Sequence, residues 1–460
     1  MNKKQAILYI FLLLIFNIQG KSQVNFRIIL DNYTDSSVLL TSYYGSKVKL
    51  VDTAYANGDV FEFNNINYPG GIYILADPSK KKLFEFIIND ESDFTIYANS
   101  KTLAEIKAEG SKENELFFNH LLLRNKAFEK ALQLNDTSSD TPAKLAGKET
   151  EIQLDSLRTL LNAEEAMIIN AYPDLFIAKL IVANSEINIP ESIAADSLQK
   201  FLYYKAHFWD GFDLKDERFI RTPIIDKKLE SYFNNIVYLN PDSTIAAIDL
   251  VISNARPSEE MVSYILWYFM AKYQNPQYMG FDRVFVHLVD NYFLKEDVLN
   301  TTVSINEKLK ERSDKLKPLL IGEPAPDLLL IDTNDRFVSF RELESDFTVL
   351  LFWDYNCNVC EDEIAELQSL IDTTIYDISV YAISKNKDID QWKNVVRLRN
   401  MNWYNVNGTK SITSNFHNLY DINGTPRMFL LDHEKKIIAK HFKVAQLIPI
   451  IENQYLKNKH

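Results

Sequence analysis

Apolar positions along this chain change their period twice. From about residue 24 to 106 they come in short runs, such as Val38-Leu39-Leu40, Val60-Phe61-Glu62-Phe63, Ile72-Tyr73-Ile74-Leu75 and Phe84-Glu85-Phe86-Ile87-Ile88. These are rich in β-branched and aromatic residues, and turn-forming sequences separate them: Asn57-Gly58-Asp59, Pro69-Gly70-Gly71 and Asp77-Pro78. The regular spacing predicts an all-β domain, an antiparallel sandwich or barrel. At Ser111 the period becomes helical. Ser111 ahead of Glu113-Asn114-Glu115 reads as a helix start, and Leu116, Phe117, His120 and Leu121 then fall at helical spacing. After a polar break at 135–142, similar patterns run through 154–161, 176–183, 229–239, 261–273 and 284–293, with prolines between them. They predict an all-α middle domain.

From Ile321 the pattern mixes both periods. A buried strand is predicted at 348–353, a helix at 360–371, a second buried strand at 378–383 and a helix near 392–398. A hairpin of 428–431 and 437–440 follows, turning at Asp432-His433-Glu434-Lys435, and a last helix covers about 444–456. The chain therefore divides into residues 1–22, a β-rich domain at 23–108, a helical domain at 109–318 and an α/β domain at 319–460. A length of 460 residues agrees with several domains rather than one core.

The first 22 residues read differently from the rest. Lys3-Lys4 precede an apolar run from Ala6 to Phe16, and Gly20-Lys21-Ser22 offers small residues for cleavage before Gln23. This is the pattern of a secretory signal peptide, and the run is too short for a comfortable membrane span of about 20 residues. An uncleaved anchor is the alternative; in both cases the remainder is exported, to the periplasm or cell envelope. No cysteine follows the run, which excludes a lipid anchor on a mature N-terminal cysteine. The net charge of −13 and the lack of a basic cluster argue against nucleic-acid binding.

Export changes the meaning of the two cysteines, Cys357 and Cys360. Exported proteins often carry several structural disulfides. Here both cysteines sit in a single Cys357-Asn358-Val359-Cys360, directly after the apolar run Val349-Leu350-Leu351-Phe352-Trp353. Strand, C-x-x-C, then amphipathic helix is the arrangement of a dithiol redox centre. A helix N-terminus aims free backbone N–H groups at Cys357, which suits it to attack a disulfide, while Cys360 lies one turn in and resolves the mixed disulfide. A structural zinc site needs four ligands, and the seven histidines are dispersed, with none at ligand spacing from the pair. Copper delivery lacks accessory His and Met, Met428 being the sole nearby candidate.

Phe352-Trp353-Asp354-Tyr355-Asn356-Cys357-Asn358-Val359-Cys360-Glu361-Asp362-Glu363-Ile364 resembles the active-site segment of the TlpA/ResA-like envelope thioredoxins. Gly322-Glu323-Pro324-Ala325-Pro326-Asp327-Leu328 resembles their upstream segment, and Ile422-Asn423-Gly424-Thr425-Pro426-Arg427-Met428 their cis-proline loop. The order of elements is also that of a thioredoxin-like fold. Gly70-Gly71-Ile72-Tyr73 and Phe281-Asp282-Arg283-Val284 look like the β-rich and helical domains of multidomain members. The resemblance implies a cis peptide before Pro426, with Thr425 presenting backbone to substrate and Trp353 on the same substrate-binding face. It implies a buried acid at Glu363 that accepts a proton near the dithiol. Asn356 stands where the family carries a bulky residue, and Ala365 where it often carries proline.

The expected activity is thiol–disulfide exchange with protein substrates, in this family usually as a reductase supplied by a membrane electron donor and without a cofactor. The alternative is an envelope binding or assembly protein whose thioredoxin-like domain recruits partners or senses redox state. About 300 residues ahead of the dithiol domain motivate it. Asp282 and His287 read as packing or capping residues.

Overall fold

A computed structural model describes residues 24–457, apart from 67, 90–92, 104, 137–140 and 296–297. The signal segment expected at 1–22 lies outside the described residues. Two compact units divide the chain: residues up to Val237 together with Asn254–Met261, and Tyr238–Ser253 together with Val262 onward. The helices up to Asn235 fall in the first unit and those from Val262 onward in the second.

The first unit begins with eight strands: β1 (Val24–Asp31), β2 (Ser37–Tyr44), β3 (Lys47–Tyr55), β4 (Val60–Ile66), β5 (Gly71–Ala76), β6 (Lys82–Ile88), β7 (Asp93–Asn99) and β8 (Lys107–Glu109). They form two four-stranded sheets, ordered β4-β1-β7-β8 and β3-β2-β5-β6. Phe26 of β1 stacks on Phe63 and Phe94 within its own sheet and meets Phe86 of the other sheet edge-on, at 5.4 Å between ring centroids. This is a sandwich, as the spacing predicts, but it is not fully antiparallel. β1 and β7 run parallel, with Phe26 opposite Phe94. The chain between them passes through the second sheet, the long crossover that parallel neighbours need.

Helices α1 (Lys112–Asp136), α2 (Thr141–Ala171), α3 (Phe176–Asn184), α4 (Ser197–His207) and α5 (Ile224–Asn235) complete this unit. Ser111 Oγ accepts from Asn114 N at 3.0 Å, the cap expected at the period change. The Asn114 amide also donates to Ile87 O and accepts from Ile87 N, at 2.7 and 2.8 Å. It satisfies the free edge of β6 much as another strand would. Buried Glu113 accepts from the amides of Phe176 and Ile177, which closes the N-terminus of α3.

The second unit contains α6 (Pro241–Ala255) in large part, α7 (Glu259–Tyr273), α8 (Asp282–Leu288) and α9 (Val303–Leu316), then a seven-stranded sheet. Its strands are β9 (Leu329–Asp332), β10 (Phe337–Ser339), β11 (Phe347–Trp353), β12 (Ile378–Ser384), β13 (Tyr404–Ser411), β14 (Arg427–Leu431) and β15 (Ile437–Lys440), ordered β10-β9-β13-β12-β11-β14-β15. β11, β12 and β13 are parallel neighbours, and β14 and β15 run antiparallel to β11 and to each other. Helices α10 (Asn358–Thr373), α11 (Ile389–Leu398), α12 (Phe416–Leu419) and α13 (Leu447–Lys457) flank it. All seven residues of β11 are buried. Val349, Leu351 and Trp353 face one core with Cys360, Ile364 and Leu367; Leu350 and Phe352 face another with Phe416, Tyr420 and Phe429.

Two basic residues tie α8 to this sheet and to the segment before it. Buried Lys440 at the end of β15 donates to the Asp282 carboxylate and to Leu319 O, and Arg283 donates to Ile321 O at 2.8 Å. His287 bonds Asp249 at 2.8 Å. Both Asp282 and His287 thus serve packing, as the sequence suggests. Asp282→Ala leaves the buried Lys440 cation without its counter-ion, a change that typically costs about 3–5 kcal/mol. The expected result is a large fall in the urea unfolding midpoint of the second unit, and a smaller one for the Asp282→Ala/Lys440→Met pair. Equal losses in both variants would contradict this account.

Candidate active site

The site is built where β11 stops. Asp354 follows Trp353 and turns the chain. Its Oδ1 accepts from Asn356 N at 2.8 Å and from Asn386 Nδ2 at 2.7 Å, and its Oδ2 pairs with Lys385 at 3.1 Å. Asn386 Oδ1 accepts in turn from Tyr355 N at 3.1 Å and Ser384 Oγ at 2.9 Å, and Asn407 Nδ2 holds the Asn386 carbonyl at 2.9 Å. The turn bearing the cysteines is therefore clamped from the ends of β12 and β13. Burial pushes the Asp354 carboxyl up, but the hydrogen bonds from Asn356 N and Asn386, with Lys385, outweigh it and hold the group below the usual carboxylate range.

Cys357 is the N-cap of α10, with extended backbone. Its Sγ accepts from Cys360 N at 3.2 Å and lies 3.5 Å from Thr425 O, to which the thiol donates. The Thr425–Pro426 peptide is cis, as the family resemblance implies. Cys357 is half-buried and Cys360 fully buried, and both are free thiols. Burial, reinforced by the hydrogen bond with Cys357, pushes the Cys360 thiol up to about 12. The two sulfurs thus stand in unequal surroundings: one reachable from solvent at a helix N-terminus, the other enclosed and protonated.

Two residues sit differently from the expectation. Trp353 does not face substrate: it is fully buried in the core that also holds Cys360, since every position of β11 is covered on both faces. Glu363 is partly buried one turn beyond Cys360, and its Oε2 accepts from Val444 N at 3.0 Å. Its carboxylate therefore also secures the 3₁₀ turn Val444–Gln446 that leads into α13. Sequence reading overlooked Asp354, Lys385 and Asn386. A usable signal existed: Ser384-Lys385-Asn386 directly follows the second parallel strand, and binding groups in α/β sheets gather at the carboxyl ends of such strands.

Residues 321–440 match the model of the AhpC/TSA family. Residues 16–117 and 139–315 match two models described as domains of unknown function, DUF4369 and DUF5106. Among solved structures, the chain is similar to a domain of a possible thiol-disulfide isomerase from Cytophaga hutchinsonii, at 30% identity and TM-score 0.29, covering 31% of this chain and 98% of that one. It is similar to a thioredoxin-like protein from Bacteroides caccae, at 18% identity and TM-score 0.44, covering 57% and 95%. A thioredoxin domain of a thiol-disulfide oxidoreductase from Bacteroides vulgatus is similar at 23% identity and TM-score 0.26, covering 29% and 96%. No curated protein matches. Sheet order and the family match make the C-terminal part a thioredoxin-like oxidoreductase domain. The chain that carries it is a multidomain thioredoxin-like protein, with domains of two further families ahead of the redox domain.

The clamp on the turn has a pH signature. A carboxyl held low in the folded state stabilises above its unfolded value of about 4, and that contribution is lost as the pH falls through the folded value. Asp354→Asn is therefore less stable than the native protein at pH 7, and the gap narrows on acidification to pH 3, by urea unfolding at both pH values. A gap of constant size would contradict the role given to Asp354.

Proposed function

We propose that this protein is an exported thiol–disulfide reductase of the periplasm or cell envelope, working on protein disulfides through Cys357 and Cys360. The observation that carries the reading is the placement of Cys357, capping α10 with its sulfur 3.5 Å from the Thr425 carbonyl. In the first step the Cys357 sulfur attacks a substrate disulfide. The substrate S–S bond breaks, a mixed disulfide forms, and one substrate sulfur leaves and takes up a proton. Cys360 then loses its proton and attacks Cys357 Sγ, which releases the second substrate sulfur as a thiol. Two electrons pass to the substrate and the protein is left with a Cys357–Cys360 disulfide. A membrane dithiol donor returns it to the reduced form.

Thr425 and Pro426 supply the substrate-facing backbone in this reading. A proline has no N–H to give, so the neighbouring carbonyl and amide are left for an extended peptide. Glu363, on the same helix as Cys360, takes the Cys360 proton as the mixed disulfide resolves. The signal segment at 1–22 and the disulfide substrates agree with an oxidising compartment outside the cytoplasm.

Cys357→Ser abolishes insulin-disulfide reduction, while Cys360→Ser halts at mixed disulfides that intact-mass spectrometry detects. Full activity in Cys357→Ser would overturn the mechanism. A further expectation concerns pH. Burial keeps the Cys360 thiol above its usual range in the mixed disulfide too, so its reactive fraction rises with pH across the neutral range. Single-turnover resolution of the mixed disulfide should therefore quicken steadily from pH 6 to 9. A plateau below pH 8 would contradict the burial argument.

A further inference from the structure

Within the first compact unit, a cavity of about 390 Å³ opens where α1, α3 and α5 meet β2, β5 and β6. Interiors pack with few voids larger than a water molecule, and small-molecule sites begin at about 300 Å³. One wall is aliphatic: Ile72 from β5, Leu180 and Ile181 from α3, and Ile224 from the start of α5. These side chains sit on well-packed elements. Every residue of β5 is buried, as are six of the nine residues of α3.

The mouth is cationic. Arg124 of α1 and Lys227 of α5 both line it and are exposed, and neither makes a hydrogen bond or ion pair with the other described residues. The acids nearby are differently placed. Glu85 is already engaged by Tyr43 and Lys82, at 2.5 and 2.6 Å. Glu165 stands 3.9 Å from His120 Nε2, too far for a hydrogen bond, and feels the Arg124 charge without an ion pair to it. His120 is 6% exposed and lines the same cavity; among the described residues its Nδ1 has no hydrogen-bond partner, the Glu164 carboxylate standing 3.7 Å away. A buried polar atom left unpaired calls for water or a ligand group. Burial, with the Arg124 cation beside it, lowers His120 to about 4, so the ring is neutral at pH 7 and still has an N–H to offer.

We propose that this cavity binds an aliphatic carboxylate, with its chain along Ile72, Leu180, Ile181 and Ile224 and its carboxylate at the mouth beside Arg124 and Lys227. Size, an apolar wall and two exposed cations on the lining, neither hydrogen-bonded to nor ion-paired with another described residue, together select this class. A neutral alkyl chain would leave the cations unused, and an alkyl cation would be repelled by them. The site is independent of Cys357 and Cys360 and gives the unit ahead of the redox domain a binding role of its own.

Isothermal titration of the full chain with decanoate, below its micelle concentration, tests this. Decanol and decyltrimethylammonium serve as the uncharged and cationic comparisons. The expected result is saturable 1:1 binding of decanoate, roughly three- to tenfold tighter than decanol, the range that rim ion pairs supply. The Arg124→Glu/Lys227→Glu variant should lose that preference and favour the cationic amphiphile. Ile224→Trp, which fills the cavity, should abolish binding while its thermal unfolding midpoint stays near the native value. Should Ile224→Trp fail to fold, the charge variant still decides. The proposal is overturned by no saturable decanoate binding, by equal affinities for decanoate and decanol, or by a charge variant that keeps the native preference.

Discussion

Strand β11 is covered on both faces along all seven of its residues, and that constraint decides where the thiols stand. A strand buried on both sides cannot shift its register without moving its apolar side chains into the wrong core. Leu350 and Phe352 are committed to one core, Val349, Leu351 and Trp353 to the other. The strand must therefore end at Trp353, and the turn that follows must bring Cys357 to the head of α10. The hydrogen bonds of Asp354 and Asn386 then remove the freedom that a three-residue turn would otherwise keep. The result is a pair of chemically unequal sulfurs from two identical side chains. A half-exposed N-cap and a fully buried position one turn later are enough to separate them.

The same unit extends beyond the redox sheet. Lys440 and Arg283 connect α8 to the sheet and to the segment just before it, and Arg312 of α9 pairs with Asp421 at 2.6 Å. Asp421 lies four residues before Thr425, so the loop carrying the cis peptide is braced from a helix upstream of the sheet. The Lys440–Asp282 pair is buried; such a pair contributes little net stability, but breaking it is costly, so it holds a particular arrangement. The helices between Val262 and Leu316 fall in the same compact unit as the redox sheet.

Much of this was legible in the residues. Two periods and their change at Ser111 marked the β-rich and helical regions, and the apolar run before Cys357 marked β11. What escaped had physical reasons. β13 reads Tyr404-Asn405-Val406-Asn407-Gly408-Thr409-Lys410-Ser411, with Val406 as its one aliphatic residue, yet it lies between β9 and β12. Its buried Asn405 and Asn407 are satisfied by neighbouring carbonyls, which hydrophobic patterning cannot detect. The parallel pairing of β1 and β7 was hidden because their partnership depends on a crossover through another sheet. The family resemblance places Trp353 on the substrate-binding face, but it is fully buried. β11 is covered on both faces, so a side chain at its end enters a core whichever way it points. The clamp of Asp354 and Asn386 joins positions 32 apart and becomes visible only in three dimensions.

The central claim is the inequality of the two sulfurs. Brief alkylation of the fully reduced protein with iodoacetamide at pH 7, followed by peptide mapping, tests it directly. Cys357 should carry the label while Cys360 is spared. Labelling of both at similar rates, or of Cys360 first, would contradict the account.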